Sequence, residues 1–169
     1  MKRRDVLRLG AVGTGIFAVG GLSRVAGRAT AQSPAVPTVD RLVMTNVVDN
    51  VYDVFAKAGK LDTITVQRAA LDAKAPPLAE HGLAYHLETV RGRERRAILL
   101  DLSLTERNLF NNYAVLKVDP TRADALVLSH GHLDHYGALP DLARAQQGKL
   151  RPGITLYAGG EDTFCHRVV

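Results

Sequence analysis

The sequence predicts an α/β fold, in which a short antiparallel meander gives way to strands that alternate with helices. Three observations carry this. β-branched and apolar residues suited to a strand fill 41–50, apolar residues recur with the period of a strand at 83–90, and they recur with the period of a helix from Thr105 to about Lys117. A buried-type strand, Ala-Leu-Val-Leu at 125–128, then lies between two helical segments. A chain of 169 residues with 46% hydrophobic content also has room for one layered core and not for two.

The first 31 residues read as a targeting signal. "MKRRDVLRLG" gives a basic start, Leu9 to Leu22 is uncharged and mildly apolar, and Ala29-Thr30-Ala31 offers a small-x-small cleavage site. The paired Arg3 and Arg4, with Val6, Leu7 and a Gly-rich apolar stretch behind them, resemble a bacterial twin-arginine signal, although Lys2 and Val6 stand where Ser or Thr and Phe are usual. The 14 residues from Leu9 to Leu22 fall short of a membrane span, which needs about 20. The expectation is export of the mature chain, to the periplasm or the exterior, by a route that carries folded and cofactor-loaded proteins.

This signal also accounts for the positive charge. It holds six of the 22 basic residues and one of the 17 acidic ones, so 16 of each remain after it. A basic, nucleic-acid-seeking surface is therefore not expected, and the partner predicted is a small-molecule substrate. Cys165 has no second cysteine to pair with and reads as a small apolar filler, and its neighbour His166 has no ligand-type partner around it.

Residues 32–40, rich in Pro and polar groups, form a linker, and the folded part starts at Arg41. "RLVMTNVVDN" suits a strand that ends at Asp49 and Asn50. In "LAYHLETV" Leu83, Tyr85 and Leu87 alternate with Ala84, His86 and Glu88, as in a half-buried strand. The run "RGRERR" reads as a solvated turn into the next strand, "AILLDL", in a hairpin. Leu109, Tyr113 and Leu116 mark the apolar side of the helix that follows, which Asp119 and Pro120 end. After the strand at 125–128 a second helix starts at Gly137 and closes at Gly148, and "GITLYAGG" forms the last strand.

Between that strand and that helix stands "SHGHLDHYGAL", which places His130, His132, Asp134 and His135 within six positions. The end of a strand in an α/β layer is where such folds put ligand-binding and catalytic groups. In a tight turn His130 and His132 can converge on one point, while Asp134 and His135 reach a second point nearby. Imidazole nitrogen and carboxylate oxygen are ligands for zinc and also for iron or manganese. The spacing predicts a metal site of one or two ions, and a solvated histidine-rich loop is the bland alternative.

The pattern HxHxDH resembles the signature of the metallo-β-lactamase fold superfamily. "EHGLAYHLE", "AILLDLS" and "VDPTRADALVLSHGHLDHYGALPDL" extend the resemblance over roughly residues 41–160, toward the branch that includes dihydropterin-ribofuranosylaminobenzene phosphate synthases and related exported hydrolases. The resemblance implies an αββα sandwich, of which residues 41–169 would supply only the N-terminal half. It implies that His130 and His132 hold a first metal, that Asp134 and His135 hold a second, and that Asp101 supports the site by hydrogen bonding. It implies hydrolysis by a metal-bound hydroxide, with zinc as the first choice of metal and two ions in a complete site. Asp134 would be the catalytic residue that orients the nucleophile and shuttles a proton.

Members of the family supply a further His, a bridging Asp and a final His from the second half of the fold, and none of these has a matching motif in this sequence. Three readings stand: a metal-dependent hydrolase of unknown substrate in an incomplete reading frame or completed by a second chain, a pterin-pathway transferase of the same fold, and a non-catalytic metal-binding fragment.

Overall fold

A computed structural model describes residues 36–69, 72 and 74–159. The targeting segment, residues 32–35 of the linker and the Cys165–His166 pair lie outside the described residues.

The β-branched segment after Asp40 forms β1 (Arg41–Val48). A small separate hairpin follows, β2 (Gly59–Leu61) and β3 (Ile64–Val66), exposed along its length. β4 (Ala84–Arg91) and β5 (Glu94–Leu100) then make a long hairpin. Its turn holds only Gly92 and Arg93. Gly92 has φ +57°, a conformation that favours glycine, and its N–H donates to Asp40 Oδ2 at 2.6 Å.

α1 (Glu106–Leu116) starts where the Thr105 side chain accepts the Asn108 N–H, with Glu106 in the first turn complementing the helix dipole. It stops at Lys117, whose left-handed backbone lets the cap N–H reach Ala114 and Tyr113 carbonyls. A 3₁₀ turn at Pro120–Arg122 leads into β6 (Ala125–Leu128). α2 (Leu133–Tyr136), α3 (Leu139–Ala145) and β7 (Thr155–Ala158) complete the described order.

The main sheet runs β1-β4-β5-β6-β7, antiparallel through β5 and parallel from β5 to β7. This is the predicted α/β arrangement, a meander followed by parallel crossovers. Both parallel crossovers carry their helix on one face of the sheet, as right-handed connections require. There Leu99 and Leu126 pack with Leu109 and Tyr113 of α1, Leu142 of α3, and Val48 and Ala84.

On the opposite face, register aligns Met44, Leu87, Ile98 and Ala125 in one row and Asn46, Tyr85, Leu100, Val127 and Tyr157 in the next. Those residues are only half-buried or exposed, with Met44 at 62% and Tyr157 at 58%. A one-sided sheet of this form is what part of an αββα sandwich presents.

Several local expectations are corrected. The fully buried positions of β4 are Ala84 and His86, while Tyr85 and Leu87 belong to the uncovered face. Both faces carry apolar residues, so alternation alone does not say which one the helices cover. The arginine run is mostly strand, because β4 extends to Arg91 and β5 begins at Glu94. The second helix is broken in two, with a short turn already formed at Leu133, and it ends at Ala145 ahead of Gly148. The β2–β3 hairpin has too few residues for a period to register in the sequence.

Asn112, 1% exposed, ties α1 to the rest. Its Nδ2 donates to Val47 O (2.7 Å) and Leu78 O (2.8 Å), and its Oδ1 accepts from Leu78 N (2.8 Å). Replacing it with alanine removes a partner from the buried Val47 carbonyl and from both half-buried backbone groups of Leu78. Asn112→Ala is expected to lower stability by about 2–4 kcal/mol in urea denaturation. A loss below about 0.5 kcal/mol would contradict the bridging role.

Candidate metal centre

Three backbone segments meet at the ends of β5 and β6, and buried hydrogen bonds fix them. Asp101 and Ser103, just beyond β5, both adopt left-handed backbone, with φ +55° and +62°. Such a pair costs energy unless its surroundings impose it. Here Asp101 N donates to Val127 O (2.9 Å), Leu102 N to His135 O (2.7 Å) and Ser103 N to Leu83 O (2.9 Å). Glu80 closes the arrangement, accepting from Ser103 Oγ (2.5 Å), Thr105 N (2.9 Å) and Thr105 Oγ1 (2.7 Å).

Gly82 permits a close approach in this region. Its φ is +150°, its N–H donates to Asn50 Oδ1, and a Cβ built there would lie 2.6 Å from the Asp134 carbonyl oxygen. The next N–H, of Leu83, donates to that same carbonyl at 3.2 Å. The segment at residues 80–83 is thus pressed against the histidine turn.

Within the turn, Asp101 is the organising group. It is 1% exposed and accepts from Ser129 N at Oδ1 (2.8 Å) and from Ser129 Oγ (2.7 Å) and His135 Nδ1 (2.8 Å) at Oδ2. A carboxylate can only accept, so His135 carries its proton on Nδ1 and leaves the Nε2 lone pair free. Ser129 spends its single hydroxyl proton on Asp101 and therefore accepts from His130 Nδ1, 3.0 Å away. That fixes the same tautomer in His130. Both rings then offer Nε2, the form in which imidazole binds a cation.

The structure brings the four singled-out side chains onto this one turn. The His130 ring centroid lies 4.6 Å from that of His132 and 4.0 Å from that of His135, and Asp134 Oδ2 lies 3.4 Å from His135 Nε2. Asp134 and His135 are mostly covered, with side chains 19% and 16% exposed, while His132 at the head of α2 is exposed. Among the described residues, no three His, Cys, Asp or Glu side chains converge closely enough to hold an ion as they stand. The donor chemistry fits a cation, with imidazoles in the ligating tautomer beside a carboxylate. The side-chain arrangement pairs those donors and leaves the cage open.

Sequence reasoning missed His81. Its Nε2 lies 3.4 Å from Asp134 Oδ2, the same oxygen that His135 Nε2 approaches, and its side chain is 78% exposed. The available signal was Gly82 beside it, which allows the close approach. His86, by contrast, is buried in β4 and takes no part in the turn.

Residues 87–158, which contain Asp101 and the whole histidine turn, match the family model described as the metallo-beta-lactamase superfamily. Over 84 residues the chain is 31% identical to a 7,8-dihydropterin-6-methyl-4-(beta-D-ribofuranosyl)-aminobenzene-5'-phosphate synthase of Methanocaldococcus jannaschii, covering 48% of this chain and 29% of that protein. It is 49% identical over 45 residues to ribonuclease J of the same organism, covering 27% of this chain and 10% of that protein. A ribonuclease of Thermus thermophilus is 42% identical over 50 residues, 29% of this chain and 12% of the relative. The matched segments span less than a third of each of these curated relatives.

Asp101→Ala strands the Ser129 N–H inside the turn and releases both histidines. The expected loss is about 2–4 kcal/mol of stability, read from thermal and urea unfolding. Wild-type stability in this variant would show that the carboxylate does not organise the turn.

Proposed function

We propose that this chain, whose residues 87–158 match the metallo-beta-lactamase superfamily model, is a member of that superfamily and forms the metal-holding part of a metal-dependent hydrolase. The observation that carries this reading is the Asp101–Ser129 pair, which engages Nδ1 of both His130 and His135 and leaves Nε2 as the ligating nitrogen, that of His135 lying 3.4 Å from Asp134 Oδ2. In this reading His130 and His132 hold a first ion, and Asp134 and His135 a second. Zinc is the metal proposed, with iron or manganese as alternatives of the same ligand preference. A bound ion of this kind supplies Lewis acidity, polarising a carbonyl or phosphoryl oxygen and making water acidic enough to yield hydroxide near neutral pH.

The chain's own groups do the rest. Asp134 orients the attacking water and takes up its proton at the carboxylate. Asp101 keeps His135 from rotating through the reaction. His81 stands beside the same Asp134 oxygen that His135 approaches, where it borders the turn.

The uncovered sheet face supports a further part of the proposal, that additional chain packs there and brings the remaining ligands, from this polypeptide or a second one. An apolar row through exposed Met44 and half-buried Leu87 and Ile98 is of the kind that proteins cover. Export through the twin-arginine-like signal remains part of the same reading. A second reading, a transferase acting in pterin chemistry, is favoured by the 84-residue similarity to the pterin-phosphate synthase, the longest of the segments described above.

The test is metal content and turnover of the protein purified from its own organism, assayed on phosphodiesters including RNA, on thioesters and on lactones. His132→Ala and Asp134→Ala are each expected to lose about one equivalent of metal and at least about 100-fold in turnover. Unchanged metal and turnover in both variants would overturn the site. Full metal with no hydrolysis of any substrate would favour the transferase reading.

A further inference from the structure

A cavity of about 470 Å³ opens at the other end of the parallel strands, where β5 and β6 begin and the histidine turn is farthest along them. It lies on the helix-covered side, beneath the last turn of α1 and the Pro120–Arg122 turn. That volume is in the range of small-molecule sites.

Its lining carries a surplus of positive charge that its own carboxylates do not neutralise. Five cationic side chains face three acidic ones. Asp124 is taken by Arg96, at 3.5 Å, and by Arg151, and it also accepts the Ala97 N–H. Asp119 is turned to Thr121, accepting its N–H and its hydroxyl. Among the described residues, Arg95, Lys117 and Arg122 make no ion pair within 4 Å, and neither does Glu88, the third carboxylate of the lining. The Asp119 pKa, lowered chiefly by the hydrogen bonds from Thr121, is lowered further by nearby Arg122. The three cations come from β5, the end of α1 and the 3₁₀ turn, so the sequence, in which they are scattered, gave no sign of the cluster. Arg95 belongs to the run read as a solvated turn. Strand pairing with Val90 and alternation with Ala97 and Leu99 put it on the helix side.

His86 supplies the independent observation. It lines the same cavity, is only 8% exposed as a residue, and makes no side-chain hydrogen bond among the described residues, so its ring N–H is available to a group held in the cavity. A neutral imidazole N–H facing a cavity can donate to an oxyanion held there. Burial holds its pKa below the ordinary value, with Glu88 opposing and Arg122 reinforcing that shift. It is neutral at pH 7 and offers one N–H donor.

We propose that this cavity is an anion site that takes a phosphate group, with Arg95, Lys117 and Arg122 supplying charge and His86 a hydrogen bond from the floor. Guanidinium groups match phosphate oxygens in a paired geometry, and a dianion balances the surplus of two positive charges. The volume exceeds what bare phosphate fills, so phosphate carried on a sugar-sized molecule is the expected occupant. The site is separate from the histidine turn and does not depend on a metal there.

Isothermal titration calorimetry of the full chain tests this, with inorganic phosphate in one arm and ribose 5-phosphate in the other. Saturable one-to-one binding is expected, retained in His132→Ala and weakened at least about 10-fold in Arg95→Ala/Arg122→Ala, which alters exposed residues and keeps the wild-type melting temperature. His86→Phe keeps the ring and removes the N–H, and is expected to weaken binding several-fold. Tighter binding of ribose 5-phosphate assigns the site to a phosphorylated small molecule, and equal binding assigns it to free phosphate. Either supports the proposal. No saturable binding below about 10 mM in either arm, or undiminished affinity in the double arginine variant, would overturn it.

Discussion

The buried carboxylate of Asp101 is the constraint on which the rest of the functional end depends. One side chain, 1% exposed, accepts three hydrogen bonds from the turn that follows β6, and its own backbone is held in a left-handed conformation by the neighbouring strand. A charge so deeply placed is tolerable only when donors surround it. Ser129 and His135 are those donors, so the requirement to satisfy Asp101 also sets the tautomer and direction of the histidines. Stability and ligand chemistry are thus coupled at this point.

A second constraint acts at the level of the layers. The two parallel crossovers place α1 and α3 on one side of the sheet, and the core forms there around Leu99, Leu109, Leu126 and Leu142. The other side keeps rows of Met, Leu, Ile, Val and Tyr at half burial or less. In the same layout the ends of β5 and β6 become different chemical environments. One end gathers imidazoles and carboxylates at the histidine turn, and the other gathers arginines over a buried histidine.

Much of this was legible in the sequence because it is local. The strands at 41–48, 84–91 and 125–128, the helix at 106–116, and the crowding of His130, His132, Asp134 and His135 all follow from residues close together in the chain. What was not legible depends on long-range pairing. The approach of His81 to Asp134 needs the contact between Gly82 and a carbonyl 52 residues on. The buried face of β4 was ambiguous because Ala84 and His86 look no more apolar than Tyr85 and Leu87. Arg95, Lys117 and Arg122 become neighbours only when β5, α1 and the 3₁₀ turn are assembled. The spacing of the signature also gave no means of telling paired donors from a closed coordination sphere.

The central claim is that the fold itself, before any ion arrives, sets His130 and His135 with Nε2 available. Nitrogen-15 long-range spectra of the metal-free chain, with assigned histidines, measure this directly. The account predicts protonated Nδ1 and unprotonated Nε2 in both residues at pH 7.5, with the Nε2 signals moving when zinc is added. Protonated Nε2 in His135, or rapid exchange between tautomers in both rings, would contradict it.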